Sequence, residues 1–197
     1  IQNNIYLYCN VTINLIKKIL FMQIYSKKIS VILRVKNKEF FVGFCIQSLI
    51  DHLTDFEVIV VNNKSDDNTI KTIKHFKKSN ESIDNKDNNH TDMSFYEINN
   101  YTPGRALNLG VSKASGENIL IISSHCKIIN FDQKYSIDLL KNYSAIFFKQ
   151  IPVWNGRRIK PKYIWSNFKD DKSENLYSDN ENRYFFHNAF SMFKRKT

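Results

Sequence analysis

Short runs of β-branched residues alternate along the chain with segments whose apolar positions recur at helical spacing. The first two runs, residues 28–35 (KISVILRV) and 56–61 (FEVIVV), predict strands that are buried on both faces. Helices are predicted after each run, over about 39–52 and 69–78. This order of strand, helix, strand and helix is typical of an α/β domain with a mainly parallel central sheet flanked by helices.

The apolar residues of these two helices also predict which side of each helix faces the sheet. Ser65 or Asp67 is expected to cap the second helix. The predicted inward positions are Phe41, Phe44, Cys45, Leu49 and Ile50 in the first helix, and Ile70, Ile73, His75 and Phe76 in the second.

Residues 101–126, YTPGRALNLGVSKASGENILIISSHC, join a predicted helix to another buried strand. Gly116 occupies the position where a left-handed helix cap is expected. The apolar run 118–122 then stops at the polar residues 123–126. In open α/β sheets ligands bind outside the carboxyl ends of the strands, so this polar terminus is expected on the floor of an active site.

The remaining predicted elements are short. They are a strand at 93–98, a helix at 131–141, a strand at 144–150, a basic loop at 151–162 with an exposed Trp154, a short helix at 163–168 and an aromatic, basic segment at 183–196.

The charge and the cysteine count narrow the class of protein. A formal net charge of +10 suits an anionic partner, but the chain is also rich in Lys, Asn and Ile, as an AT-rich genome would produce. Nucleic acid is therefore not the expected partner. Three cysteines without paired spacing indicate reduced thiols in the cytoplasm.

The first 27 residues are predicted to be an extension outside the fold. Asn and Lys interrupt their apolar stretches, so neither a transmembrane helix nor a signal peptide is indicated. Translation is expected to start at Met22, just before the first strand. Residues 28–197 have the length of one domain.

Residues 28–196 resemble the family 2 glycosyltransferases, an inverting group with the GT-A fold. The resemblance is carried by KISVILRVKN, FEVIVVNNKSDDNT, GRALNLGVSKASGENILIISSHC and FFHNAFSMFKR, in that order. It implies the GT-A (nucleotide-diphospho-sugar transferase) fold and transfer of a sugar from a nucleotide-diphosphate donor to a glycan or lipid-linked acceptor. It also implies surface polysaccharide biosynthesis in a bacterial cytoplasm, with a peripheral contact to the inner face of the membrane.

The resemblance also implies which residues contact the donor. Asn63 stands where the uracil edge is met, and Arg105 is placed to approach the base or the diphosphate. The implied substrate-binding residues are Arg34, Val35, Asn37, Asn62, Asn63, Arg105, Asn108, Ser123, Ser124 and His125.

The metal-holding Asp-x-Asp motif of the family is Ser123-Ser124-His125 in this chain. One interpretation is that His125 binds Mn²⁺ or Mg²⁺ together with His187, since related polypeptide GalNAc-transferases use an Asp-x-His motif and a later His. The other is that His125 is a hydrogen-bonded strand-end residue or a diphosphate donor, and that the enzyme needs no metal.

An inverting transfer also needs a general base, which the family provides after the FFHNAFSMFKR segment. Residues 183–197 contain no acid, so the base is expected beyond Thr197. The donor-binding half is then complete and the acceptor half truncated. The alternative is a non-catalytic relative, a pseudoenzyme or fragment that binds a nucleotide sugar or glycan. A nucleotidyltransferase is disfavoured, because no glycine-rich phosphate loop follows the first strand.

Overall fold

The computed structural model describes residues 29–82, 92–158, 174–175, 177–178, 182–184 and 186–195. The predicted N-terminal extension and the predicted short helix at 163–168 lie outside these residues.

Up to residue 147 the described elements follow the predicted order of strands and helices, and beyond it short strands lie where a loop and an aromatic, basic segment are predicted. The helices are α1 (Glu39–His52), α2 (Thr69–Ser82), α3 (Pro103–Lys113) and α4 (Gln133–Leu139). The strands are β1 (Ile29–Val35), β2 (Phe56–Asn62), β3 (Asp92–Glu97), β4 (Asn118–Ser123), β5 (Ala145–Phe147), β6 (Val153–Trp154), β7 (Arg157–Arg158), β8 (Tyr177–Ser178), β9 (Arg183–Tyr184) and β10 (Phe190–Lys194).

Six of these strands form one mixed sheet in the order β3-β2-β1-β4-β10-β5. The first four are mutually parallel, as the sequence predicts. β10 is antiparallel to both β4 and β5 and lies between them. The sequence analysis did not predict a strand at this position, and it is the main difference in topology. β6 and β7 form a separate small hairpin whose turn residues, Asn155 and Gly156, both have positive φ.

The central strands are covered on both faces. One face packs against α1 and α2, through side chains such as Cys45, Leu49 and Ile73, all fully buried. The other face packs against α3, where Ala106 joins Ile32 and the neighbouring strand residues. Gly110 brings α3 close to β1, since a Cβ built there would lie 2.4 Å from Cγ2 of Ile32. This double burial explains the continuous apolar runs in the sequence.

Three details of the helices differ from the prediction. Phe41 and Phe44 are exposed, because α1 turns Val42 and Ile46 toward the sheet instead. His75 is exposed rather than inward. α3 ends at Ala114 in extended backbone, and Gly116 does not adopt positive φ.

Gly116 instead belongs to a buried polar cluster at the amino ends of the central strands. Its backbone N–H donates to Oγ of Ser30 (2.8 Å), and that hydroxyl donates to Oε1 of Glu57 (2.5 Å). The backbone and the hydroxyl of Ser115 donate to the same carboxylate oxygen, each at 2.7 Å. Burial alone would raise the pKa of Glu57, but these hydrogen bonds outweigh it and the pKa is lowered. The cluster joins β1, β2 and the turn before β4.

We predict that replacing Glu57 by Gln reduces the loss of stability in acid. Because the pKa of Glu57 is lowered in the folded state, its stabilising contribution is present above its ordinary value of 4.5 and is lost as the pH falls below it. The variant should be about 1 kcal/mol less stable at pH 7 and should lose less stability between pH 5 and pH 3. Urea unfolding at several pH values measures both. Replacing the exposed Glu97 in the same way is the control, and equal acid sensitivity of Glu57→Gln and the unaltered chain would contradict the prediction.

A second prediction concerns the contact between α3 and β1. Gly110→Ala should destabilise the fold by about 1–3 kcal/mol, because its new methyl group overlaps Ile32 in a packed interface. Gly104→Ala in the same helix meets nothing within 4 Å and should be neutral or stabilising by up to about 1 kcal/mol. Unfolding midpoints in urea compare the two. Similar midpoints would show that α3 does not pack as closely as described.

Candidate functional site

The carboxyl ends of β1, β2 and β4 lie side by side at one edge of the sheet. In the parallel register Arg34 is opposite Val61 on one side and Ser123 on the other, and Val35 is opposite Asn62. The polar residues that follow each strand therefore gather at one edge, which is where an open α/β sheet binds its ligands. We call this region the carboxyl edge.

The loops after β1 and β2 are locked together at the carboxyl edge. The backbone N–H of Asn63 donates to the carbonyl of Val35 (2.9 Å), and that of Asn37 donates to Oγ of Ser65 (3.1 Å). Oδ1 of Asn37 accepts from the backbone of Asp66 (3.1 Å). The ammonium group of Lys36 also donates to a backbone carbonyl of the facing loop. These contacts form one rigid double loop.

Asn37, Asn62 and Asn63 differ in whether their side chains have a hydrogen-bond partner. The side-chain oxygens of Asn37 and Asn62 accept backbone hydrogen bonds within the loops, that of Asn62 from the N–H of Ser65 at 3.0 Å. The half-buried side chain of Asn63 makes no hydrogen bond to the part of the chain that is described. Its amide can therefore both donate to and accept from a bound molecule.

Two residues of the double loop have left-handed backbone. φ is 49° at Asn37 and 48° at Lys64. Asn tolerates this region, but Lys does so at a cost, because its Cβ crowds the backbone. Glycine would adopt the backbone of Lys64 without this cost.

Two acids beside these loops, Asp67 and Glu39, hold the helix starts. The carboxylate of Asp67 accepts from the backbone N–H of Glu39 (3.1 Å) and of Thr69 (2.9 Å). Glu39 in turn accepts from the backbone and side chain of Asn68. These are capping interactions, as the sequence analysis expects for Asp67.

The end of β4 is a tight turn. The N–H of Ser123 donates to the carbonyl of Ala189 (2.8 Å), and its carbonyl accepts from Cys126 (2.8 Å). Ser124 is buried, whereas His125 is exposed. Partial burial of its ring and the nearby ammonium group of Lys38 lower the pKa of His125, which favours the neutral imidazole at pH 7.

His187 lies at the same edge, because it comes two residues before Ala189, the partner of Ser123. Its Nδ1 accepts from the N–H of Ala189 (3.2 Å) and contacts the amide of Gln150. Burial lowers its pKa. The structure therefore brings both predicted metal ligands to the end of β4.

α3 begins beside the double loop. The N–H of Ile98 donates to the carbonyl of Asn62 (3.0 Å), which fixes the connection that leads into the helix. Thr102 caps the helix through the N–H of Arg105 (3.1 Å), and Pro103 occupies its first turn. Arg105 thus lies near the carboxyl edge, and Asn108 lies exposed one turn further along α3.

The described side chains at the carboxyl edge do not provide the set of ligands that a protein-bound divalent metal ion needs. Within the described ranges, no group of three or more His, Cys, Asp or Glu side chains could hold an ion. Mg²⁺ and Mn²⁺ prefer carboxylate oxygens; in the double loop Asp67 is engaged as a helix cap, and Asp66 is exposed.

A cavity of about 490 Å³ lies elsewhere, at the amino end of β4. It is lined by Val111, Ser144, Ala145, Phe186, Phe193, Lys194 and Arg195. None of the predicted site residues lines it, and it lacks the strand-end polar groups of the carboxyl edge. The carboxyl edge is therefore the better candidate for the functional site.

The sequence analysis did not select Lys38 as a site residue. Lys38 precedes α1, and its backbone N–H donates to Oγ1 of Thr69 (2.6 Å). Its closeness to His125 adds positive charge to the carboxyl edge. Its position directly after the first predicted strand is the signal that could have identified it.

Residues 30–197 match the model of glycosyl transferase family 2. The chain belongs to this family. Poly(ribitol-phosphate) beta-glucosyltransferase of Bacillus spizizenii, one similar protein, is 29% identical over 155 residues, which cover 73% of this chain and 22% of that enzyme. The family predicted from the resemblance is therefore confirmed.

Solved structures of glycosyltransferases share the fold. S. aureus TarS 1–349 in complex with UDP has a TM-score of 0.61 at 20% identity, covering 85% of this chain and 47% of that one. Mannosyltransferase PcManGT from Pyrobaculum calidifontis, in complex with GDP-Man and Mn²⁺, has a TM-score of 0.61 at 17% identity, covering 85% and 44%. The predicted GT-A fold is confirmed. The chain spans about a fifth of the curated family member (22%) and less than half of these structures.

Among the residues that the structure describes, every helix is too short or too polar to cross a membrane.

The left-handed backbone of Lys64 leads to a prediction about the stability of the fold. Lys64→Gly should raise the free energy of unfolding by up to about 1 kcal/mol, because glycine adopts φ near 48° without steric cost. Lys71→Gly, within α2, should instead lose about 1 kcal/mol. Urea denaturation measures both changes. A loss of stability in Lys64→Gly would mean that the Lys64 side chain contributes more than the strained backbone costs.

Proposed function

We propose that the protein transfers a sugar from a nucleoside-diphosphate donor to an acceptor hydroxyl. The proposal is supported by the adjacent carboxyl ends of β1, β2 and β4, which carry Arg34, Asn62 and Ser123 in a chain of family 2. In the transfer, the bond between the sugar C1 and the diphosphate oxygen breaks and a bond from C1 to the acceptor oxygen forms. The acceptor proton passes to a general base, and inversion follows if the acceptor attacks from the opposite side.

The nucleobase is proposed to bind at Asn63. Support comes from the free amide of Asn63 on the rigid double loop, since a base edge needs a donor and an acceptor side by side. Val35, Asn37 and Asn62 shape the wall around it. Uracil is the favoured base, in line with a TarS structure that contains UDP-GlcNAc.

The acceptor is proposed to be a phosphate-containing polyol or a lipid-linked glycan of a bacterial surface polysaccharide. The name of the Bacillus spizizenii relative supports the first, and the net charge of +10 suits an anionic polymer. Assembly of such a polymer on a lipid carrier would place the protein in the cytoplasm, in peripheral contact with the membrane.

The general base is proposed to lie beyond Thr197. The described residues 186–195 contain no Asp or Glu, and the match to relatives covers less than half of their length. On this proposal residues 28–197 hold the donor-binding half of the site. The assignment of Mn²⁺ or Mg²⁺ to His125 and His187 stays a prediction, with only two of the needed ligands identified.

A non-catalytic nucleotide-sugar or glycan-binding relative is the second candidate. The neutral residue Ser123, where the family motif has an acid, favours it. Turnover of a sugar donor by a longer reading frame that includes this chain would exclude this candidate.

We predict that the 197-residue chain binds UDP and that Asn63→Ala weakens the binding about tenfold, because a buried polar base edge is left unpaired. Isothermal titration with UDP, GDP and ADP gives the affinities and the base preference. Asn142→Ala, in an exposed turn after α4, is the control and should bind UDP normally. Failure of all three nucleotides to bind, with or without Mn²⁺, would contradict the proposed function.

A further inference from the structure

Arg34 contains a buried polar atom without a partner. Its Nε is shielded from solvent and makes no hydrogen bond to any described residue. A buried donor left unsatisfied is unfavourable, and more so on a charged group. The guanidinium group is therefore missing an acceptor that the described protein does not provide.

The position of Arg34 shows where that acceptor would come from. Side chains alternate along a strand, so Arg34 lies on the same face of β1 as Ile32, which contacts α3 at Gly110. Its neighbours across the sheet are Val61 in β2 and Ser123, the last residue of β4. Arg34 thus stands between the two strand ends of the carboxyl edge, under the start of α3.

The acids near the carboxyl edge form no ion pair with Arg34 in the described residues, and two of them, Asp66 and Glu97, are exposed. Asp67 and Glu39 hold the helix starts through backbone N–H groups. Glu57 lies at the opposite end of the strands, in the cluster with Ser30 and Ser115. No ion pair of Arg34 is found within the described ranges. The guanidinium group of Arg34 therefore remains able to bind an anion at the carboxyl edge.

The donor set for a metal ion is missing at the same edge. A divalent ion on a diphosphate is normally held by protein carboxylates, and here no group of three ligating side chains is present in the described part of the chain. Ser123 and Ser124 are neutral, and Lys38 adds positive charge beside His125. This environment suits an anion better than a cation.

We propose that Arg34 binds the diphosphate of the sugar donor and supplies the positive charge that metal-dependent transferases take from a divalent ion. The inference rests on the proposed function. A guanidinium group presents a planar fork that matches two phosphate oxygens, and it stays charged throughout. As the bond from the sugar C1 to the diphosphate breaks, the electron pair remains on the diphosphate oxygen, and Arg34 stabilises that charge without transferring a proton. Lys38 and Arg105 add to the positive field.

The first arm of the test uses the unaltered 197-residue chain. UDP and GDP are titrated by calorimetry in EDTA, and again with Mn²⁺ or Mg²⁺. Affinities that agree within about threefold are expected, since the positive charge is part of the protein. Binding that is lost in EDTA and restored by Mn²⁺ would overturn the inference, while leaving the proposed function intact and favouring His125 and His187 as ligands.

The second arm uses substitutions of Arg34. Arg34→Gln should weaken UDP binding by about tenfold or more, with or without Mn²⁺, and should leave the weaker binding of uridine unchanged because uridine has no phosphate. Arg34→Lys, which keeps the charge but loses the fork, should fall between. Lys113→Gln removes one positive charge at the far end of α3 and should bind UDP like the unaltered chain. Circular dichroism and melting temperatures verify that each variant is folded.

The remaining outcomes would contradict the inference. If Arg34→Gln binds UDP normally, or loses uridine and UDP binding equally, Arg34 does not bind the diphosphate. If neither UDP nor GDP binds the unaltered chain under any condition, the proposed function fails and the inference fails with it.

Discussion

The parallel pairing of β1 with both β2 and β4 is the constraint on which the rest of the structure depends. β1 has no free edge, and its residues from Ile29 to Leu33 are fully buried. Its register is held at one end by the Ser30–Glu57 hydrogen bond and at the other by the bond from Asn63 to Val35. A shift by one residue would turn Arg34 to the opposite face and separate it from Ser123. The site is therefore as well defined as the sheet that carries it.

The ligand-binding properties of the carboxyl edge depend on which of its side chains already have hydrogen-bond partners within the protein. The carboxylates of Glu39 and Asp67, which are 28 residues apart in the sequence, accept hydrogen bonds from backbone N–H groups at the helix starts. The amides of Asn37 and Asn62 stabilise the loops, which leaves Asn63 for a ligand. Asp66 and Glu97 are exposed acids at this edge, whereas Arg34 and Lys38 are cations near the ends of β1 and β4. The nucleotide proposed as the ligand carries its negative charge on the diphosphate and its hydrogen-bonding groups on a neutral base.

The sequence predicted the parts of the fold whose cause is local. β1, α1 and β2 were placed to within a residue or so, because buried β-branched runs and their polar ends are visible without a partner. β10 was missed, since FSMFK has neither alternation nor a turn signal and becomes a strand only through pairing with β4, about seventy positions earlier. Gly116 was misread, because it serves a hydrogen bond to Ser30 and not a left-handed backbone. The location of the candidate site was predictable from strand ends. The lack of a hydrogen-bond partner for Nε of Arg34 could not be predicted from the sequence, because it depends on how the other helices and loops pack around it.

The antiparallel strand β10 also has a consequence for how the chain acquires its fold during synthesis. β4 is paired on one side by β1, but its other edge is covered only by β10, whose residues are translated long after β4 leaves the ribosome. Until then the nascent sheet exposes an apolar strand with unpaired backbone groups, the kind of edge that recruits chaperones or another chain. This edge of β4 is thus covered only after residues 190–194 have been synthesised, and a pause in translation before residue 190 would prolong its exposure.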